Sequence, residues 1–194
     1  MDLIVHGNPQ TYLVAAWIVF AAVWFVAAFS TKRTVQRQSA ASRWLDIGEG
    51  WLAWLFLFAK RVHFAPLAWR FVPGSDPVAW TGVALTVVGI GLAIVARFFL
   101  GSNWSAIVTI KQGHTLVRRG PYALVRHPIY SGLLVAILGT ALAIGEVRAL
   151  IAASLIFALV VHKMILEEKF MAQQFGADYL EYRRNVKALI PFVW

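Results

Sequence analysis

Two runs without a single charge limit what this chain can fold into. Tyr12 to Phe29 spans 18 residues and Val78 to Ala96 spans 19. A helix that crosses the hydrocarbon core needs about 20 apolar residues, and lipid offers no partner to an unpaired backbone N–H or C=O. Both runs are therefore predicted transmembrane helices. Composition agrees: 60% of the residues are hydrophobic, 14% are charged and the mean hydropathy is +0.68. A soluble domain is nearer about half apolar and a quarter charged. A disordered chain, a disulfide scaffold and an ordinary water-soluble enzyme are thereby excluded. Cysteine is absent, which removes thiolate zinc sites and Cys nucleophiles. No basic stretch precedes Tyr12, so the first run reads as an anchor and not as a cleaved signal.

Three further segments are less regular. Trp51 to Ala59 is apolar, Lys60, Arg61 and His63 interrupt it, and Phe64 to Val72 resumes. One helix from about 46 to 71, bent near Pro66, accommodates the pattern if the cations face protein or snorkel. Ser131 to Gly145 and Ala149 to Val161 are each short for a span. Joined at Gly145–Arg148 they read as a helical hairpin over 131–166. The expected fold is all-α: a polytopic membrane protein with about five transmembrane helices. Residues 1–100 hold the first three (12–29, 46–71, 78–96). Residues 101–194 hold a polar connector, the hairpin and a C-terminal amphipathic helix over Phe170 to Val186.

The net charge of +9 tests this topology. Lys32, Arg33, Arg37 and Arg43 follow the first span. Arg97, Lys111, Arg118, Arg119 and Arg126 follow the third. Lys163, Lys169, Arg183, Arg184 and Lys187 follow the fifth. Five spans thus gather 14 of the 18 basic residues on one side. The positive-inside rule makes that side cytoplasmic, with the N-terminus outside and the C-terminus inside. The excess of cations then reports topology, and no nucleic acid is needed to explain it. The polar segments 97–130 and 163–194 share the cytoplasmic face, so chemistry common to them belongs there.

The connector 101–130 is rich in Gly, His, Arg and Tyr. It contains no Rossmann fingerprint and no P-loop. Asn103-Trp104-Ser105 matches a glycosylation sequon on the wrong face. Gly89-Ile90-Gly91 inside a span reads as helix packing. The 13-residue spacing of His114 and His127 fits no compact metal motif, so no metal site is expected. Arg126-His127-Pro128-Ile129-Tyr130 starts a helix, since Pro favours the first turn. Glu167 and Glu168 close the last span; about 100° apart on a helix, one can face inward and the other solvent. A plain alternative is a solvated face with Lys163 and Glu167 as an i,i+4 pair.

Five pieces in order carry a resemblance: GSNWS (101–105), GHTLVRRGPYALVRHPIYSG (113–132), EE (167–168), FGADYLEY (175–182) and Pro191-Phe192. Together they resemble the isoprenylcysteine carboxyl methyltransferase family, within a wider group that includes phospholipid methyltransferases. The resemblance covers the C-terminal half. It implies an integral membrane methyltransferase that uses S-adenosylmethionine and releases S-adenosylhomocysteine, with a non-Rossmann cytoplasmic pocket. It implies cofactor contacts at Thr109, His114, Thr115, Leu116, Val117, Tyr122, His127, Pro128, Ile129, Tyr130 and Glu167. It makes Lys163, where eukaryotic members carry an Arg, a substrate residue together with Glu168. Lys is a point charge without the bidentate fork that suits a carboxylate.

The chemistry is compatible with these residues. Glu167 can balance a cation, Arg126 or His127 can hold a carboxylate, and Tyr122 and Tyr130 offer aromatic faces. Glu167, Arg126 and His127 are the candidate catalytic residues. An ionised carboxylate acceptor needs no general base; an amine acceptor does. The expected activity is O-methylation of an isoprenylcysteine-type carboxylate on a prenylated or other lipophilic acceptor in the bilayer, in a bacterial or archaeal inner membrane. The alternatives are a phospholipid or other lipid amine N-methyltransferase, an NADPH-dependent sterol-type reductase, and a non-enzymatic membrane binding protein.

Overall fold

The computed structural model describes residues 7–29, 34–37, 39–58, 65–104, 109–111 and 115–193. Helix α1 (Pro9–Ala28) begins where the Asn8 side chain accepts the Gln10 N–H at 3.0 Å, with Pro9 in the first turn. Ile18, Phe25 and Val26 are exposed along it. That is the surface of a helix meant for lipid, and a bundle in water would bury it. By length and composition, α1, Asp76–Asn103 and Val147–Phe175 can each cross a bilayer.

The second span differs from its sequence reading. Helix α2 (Ala40–Phe58) starts earlier, where Ser39 Oγ accepts the Ser42 N–H, and a one-turn helix α3 (Ala65–Ala68) follows. No helix runs to Phe71. Phe71 N–H donates to Gly145 O at 3.0 Å, Val147 N–H donates to Trp69 O at 2.8 Å, and Arg70 bridges Glu146. The backbone groups that a longer helix would use internally are taken by the turn of the hairpin. Lys60, Arg61 and His63 lie outside the described residues.

Helices α4 (Asp76–Leu100) and α5 (Pro128–Ile144) form the tightest contact, and small residues make it. A Cβ on Gly132 would lie 2.6 Å from Ala93 N and Gly89 O; one on Gly139 would lie 2.6 Å from Thr86 N. Gly82 and Gly89 answer from α4, each against α5 backbone. Close backbones take the place of the hydrophobic drive that lipid cannot supply. Thr86 and Thr140 face each other at 3.2 Å, and Trp17 Nε1 donates to Thr140 Oγ1 at 3.1 Å, which brings α1 onto the pair. Of the Gly89/Gly91 pair only Gly89 packs; nothing lies within 4 Å of a Cβ on Gly91.

Gly145 (φ +71°) caps α5 in the left-handed region that suits glycine, and α6 (Val147–Phe175) returns. Helix α6 packs against α2 and runs 29 residues. It therefore contains the start of the expected surface helix over 170–186. Gly176 (φ +51°) breaks that stretch, and a separate α7 (Ala177–Asn185) follows.

One feature is not helical. Strand β1 (Thr34–Arg37), after α1, pairs antiparallel with β2 (Thr109–Lys111), in the connector. Residues 125–127 pair with 187–188 in the same region: Arg126 N–H donates to Lys187 O and His127 N–H to Ala188 O. Arg97, at the end of α4, donates to Ala27 O at 2.6 Å at the end of α1. The polar segments after α1, α4 and α6 thus meet at one end of the bundle.

Candidate active site

At that end lies a cavity of about 390 Å³. Three walls build it. The first comes from the connector. Its Gly101–Asn103 turn holds Asn103, whose amide donates to Thr115 Oγ1 at 2.9 Å and fixes the irregular run Thr115–Val117 along the cavity. Trp104 closes one side, against Trp24 of α1 and beneath the Arg97 guanidinium, 4.5 Å from its ring centre. Gly120 (φ +61°) has room for no side chain, because the Phe99 ring fills the place of a Cβ. That turn delivers Tyr122 into the cavity, and Tyr182 donates to Tyr122 O at 2.5 Å from α7.

The second wall is the start of α5, with His127, Ile129 and Tyr130. His127 is the N-cap residue and Pro128 takes the first turn. Ser131 Oγ donates to Leu189 O at 2.6 Å, tying the turn to the C-terminal segment. The third wall is α6, with Lys163, Glu167 and Met171.

Charge is distributed unevenly between the two adjacent acids. Glu168 is 11% exposed and accepts from Arg126 Nε at 3.0 Å and Nη2 at 2.5 Å; Arg183 Nε lies 3.3 Å away. Arg126 also donates to Arg183 O at 3.1 Å and to Val186 O. Glu167 is 30% exposed, accepts the Tyr130 hydroxyl at 2.5 Å, and lines the cavity. His127 stands between them, Nδ1 at 3.5 Å from Glu167 and Nε2 at 3.3 Å from Glu168. Glu168 is therefore neutralised by two arginines, while Glu167 presents its charge to the cavity. The expectation that one acid faces solvent is corrected: both turn toward His127, because charges that leave water need partners. Lys163 does not take Glu167 as its i,i+4 partner; its Nζ lies 3.9 Å from Asp46 on α2.

Burial alone would push the His127 imidazolium pKa down. The hydrogen bonds and charges of Glu167 and Glu168 outweigh it and hold the pKa above its ordinary value. Burial, reinforced by Glu167, raises the Tyr122 phenol well beyond the usual range, and burial raises Tyr182 to about 12. Both tyrosines stay neutral donors. A group whose folded pKa is raised stabilises fully below its unfolded value, for His about 6.5, and loses that contribution as pH rises through the folded value. Melting in detergent should therefore show the parent's advantage over His127→Gln shrinking as pH climbs above about 6.5. A constant difference across that range would mean that the imidazole is not held charged.

Thr115, Leu116, Val117, Tyr122, Arg126, His127, Ile129, Tyr130, Lys163 and Glu167 all line the cavity. Pro128 is fully buried behind it, and Glu168 stands one layer back. His114 and the Thr109 side chain lie outside the described residues; the Thr109 backbone pairs with Arg37. Among the described residues no cluster of three metal-ligating side chains occurs. Sequence reasoning missed Trp24, Leu133 and Tyr179, which also line the cavity, and Arg97, which is 2% exposed. Asn103 and Trp104 stood inside the GSNWS piece without an assigned role. The signal for Arg97 was its place in the last turn of an apolar span, where a cation needs carbonyl partners.

Comparison with known proteins gives this arrangement a family. The model of the phospholipid methyltransferase family matches residues 78–178, just over half of the chain. The chain belongs to the phospholipid methyltransferase family. Within it, this methyltransferase-family chain is 30% identical over 129 residues to protein-S-isoprenylcysteine O-methyltransferase B of Arabidopsis thaliana, covering 63% of this chain and 66% of that one. It is 33% identical over 119 residues to the Saccharomyces cerevisiae protein-S-isoprenylcysteine O-methyltransferase, covering 58% and 48%. The chain thus spans from about half to just under two thirds of the length of these relatives. The fold is similar to that of a eukaryotic intramembrane Ras methyltransferase, isoprenylcysteine carboxyl methyltransferase, with TM-score 0.63, 21% identity and coverage of 97% of this chain and 70% of that one.

Proposed function

We propose that this family member is an S-adenosylmethionine-dependent O-methyltransferase acting on the carboxylate of a lipophilic, isoprenylcysteine-type acceptor. The observation that carries this is the Glu167 carboxylate, facing a cavity rimmed by Trp104, Tyr122 and Tyr130, while the neighbouring acid is neutralised. The cavity falls in the size range of small-molecule sites, about 300–1,000 Å³. A carboxylate and aromatic faces suit an organic cation with an aromatic base. The backbone of Thr115–Val117, in neither helix nor strand, offers polar groups along the same wall.

S-adenosylmethionine supplies an electrophilic methyl group on a sulfonium cation. Glu167, oriented by Tyr130 and His127, would hold the cofactor's ammonium group, which the product S-adenosylhomocysteine keeps. Lys163 would receive the acceptor carboxylate, which is ionised at neutral pH and gives up no proton. The side chains then have little to do beyond positioning, exclusion of water and placement of charge. The apolar residues Trp24, Leu100 and Leu133 line the same cavity and suit a lipid tail. This assignment includes five crossings with the N-terminus outside and the cavity at the cytoplasmic face, which the positive-inside rule supports.

Glu167→Gln tests the cofactor role. It keeps an acceptor for the Tyr130 hydroxyl and removes only the charge. S-adenosylhomocysteine binding in detergent should weaken by about 1.5–3 kcal/mol, while the ligand-free melting temperature falls only modestly, since Glu168 remains beside His127. Unaltered affinity would remove Glu167 from the site. Tight NADPH binding without S-adenosylhomocysteine binding would favour a reductase.

A further inference from the structure

Helix α2 lies outside residues 78–178, the part of the chain that matches the family. Its Asp46 side chain nevertheless reaches a residue of the cavity wall. Asp46 is 8% exposed, and its Oδ2 lies 3.9 Å from Nζ of Lys163, which lines the cavity. Its Oδ1 lies 4.0 Å from Nδ1 of His162, the preceding residue of α6. A buried carboxylate is costly unless a cation answers it, so this acid has a reason to be where it is.

The length of the contact matters. At 3.9 Å it is a charge contact and not a hydrogen bond. Lys163 is held toward the α2 side of the cavity by Coulomb attraction, while its ammonium donors are not spent on Asp46. A lysine stem has four rotatable bonds and loses its preferred place easily. Without Asp46 the ammonium, already part exposed at 22%, swings away from the cavity wall toward solvent. We infer that Asp46 is a positioning residue for the acceptor: it holds Lys163 at the cavity wall with its donors free for an anionic lipophile. Through Asp46, a helix outside the matched region sets acceptor use. This inference rests on the acceptor reading proposed above.

The test uses the full-length protein in detergent, with N-acetyl-farnesylcysteine as the acceptor probe. Asp46→Asn should raise the acceptor KM by about fivefold to tenfold while kcat changes by less than about twofold. Affinity for S-adenosylhomocysteine should stay within about twofold of the parent, which a general loss of structure would not allow. Asp46→Glu, which restores the charge, should return KM to within about threefold. In a Lys163→Ala background, Asp46→Asn should have no further effect, because the two residues act as one unit. An unchanged KM, or an additive loss in that background, overturns the inference. A second readout needs no activity and separates this inference from the acceptor reading. Labelling of Lys163 by an amine-reactive reagent, followed by mass spectrometry, should be several-fold faster in Asp46→Asn, since the tether is gone. If the parent methylates no farnesylcysteine probe, the acceptor reading fails, and the labelling rate still decides Asp46: faster supports the tether, unchanged overturns it. Should Asp46→Asn not fold, Asp46→Glu carries the same comparison, with parent-like labelling and KM expected and a full loss of either contradicting it.

Discussion

Gly132→Leu is expected to leave no folded protein in detergent. A Cβ at this position would lie 2.6 Å from the backbone of α4, at Ala93 N and Gly89 O. Neither atom belongs to a flexible side chain, so the helices must separate. Separation also pulls apart Thr86 and Thr140 and the indole N–H of Trp17 that reaches Thr140. Overpacking of a yielding core costs about 1–3 kcal/mol, and a clash of two backbones belongs above that range. Gly91→Ala is the matched control, since a Cβ there meets nothing within 4 Å. It should be neutral or stabilise by about 0.5–1 kcal/mol, the gain of Ala over Gly in a helix. Thermal melting followed by tryptophan fluorescence checks both. A Gly132→Leu protein that melts like the parent would mean that α4 and α5 do not approach this closely.

Arg126→Ala is the second large effect. Its guanidinium satisfies Glu168 and two backbone carbonyls, at Arg183 and Val186, so it ties the start of α5 to α6 and the C-terminal segment. Removing one partner of a buried pair leaves an uncompensated charge, at about 3–5 kcal/mol. Arg183 is more than half exposed and replaces little of what is lost. The expected outcome is a large fall in melting temperature together with loss of S-adenosylhomocysteine binding. Arg126→Lys should recover only part, because an ammonium cannot reproduce the fork. Glu167→Gln is the contrast: affinity lost, most of the stability kept. If Arg126→Ala binds the cofactor product normally, Arg126 is not the brace that holds His127 and Glu168 in place.

What could be read in the chain follows from where the constraint lies. The charge-free runs at 12–29 and 78–96 are local signals, and α1 and α4 contain them almost whole. The end of the helical run at Ala68 was not legible, because the competitor for the backbone of 69–71 is the turn at Gly145, more than 70 residues away. The ribbon of β1 and β2 is hidden for the same reason: each strand is three or four residues, and neither has a pattern without the other. Helix α6 continues through Lys163, Glu167 and Glu168 because those charges find partners in protein, which apolar periodicity cannot reveal. At the site, the motif residues stood out through the resemblance, since they lie close together in sequence. Asp46, Trp24 and Arg97 did not. Each acts through a contact with a distant segment, and only Arg97, in the last turn of an apolar span, carries a local mark of it.

The reaction proposed for this site is methyl transfer to a lipophilic carboxylate. Its most direct test is incubation of the purified chain with methyl-labelled S-adenosylmethionine, N-acetyl-farnesylcysteine and, in parallel, a lipid amine. Label should appear in the farnesylcysteine product as a base-labile methyl ester that releases methanol, and none should appear in the amine. Label stable to base in the amine product, or no transfer to either acceptor, would contradict that reaction.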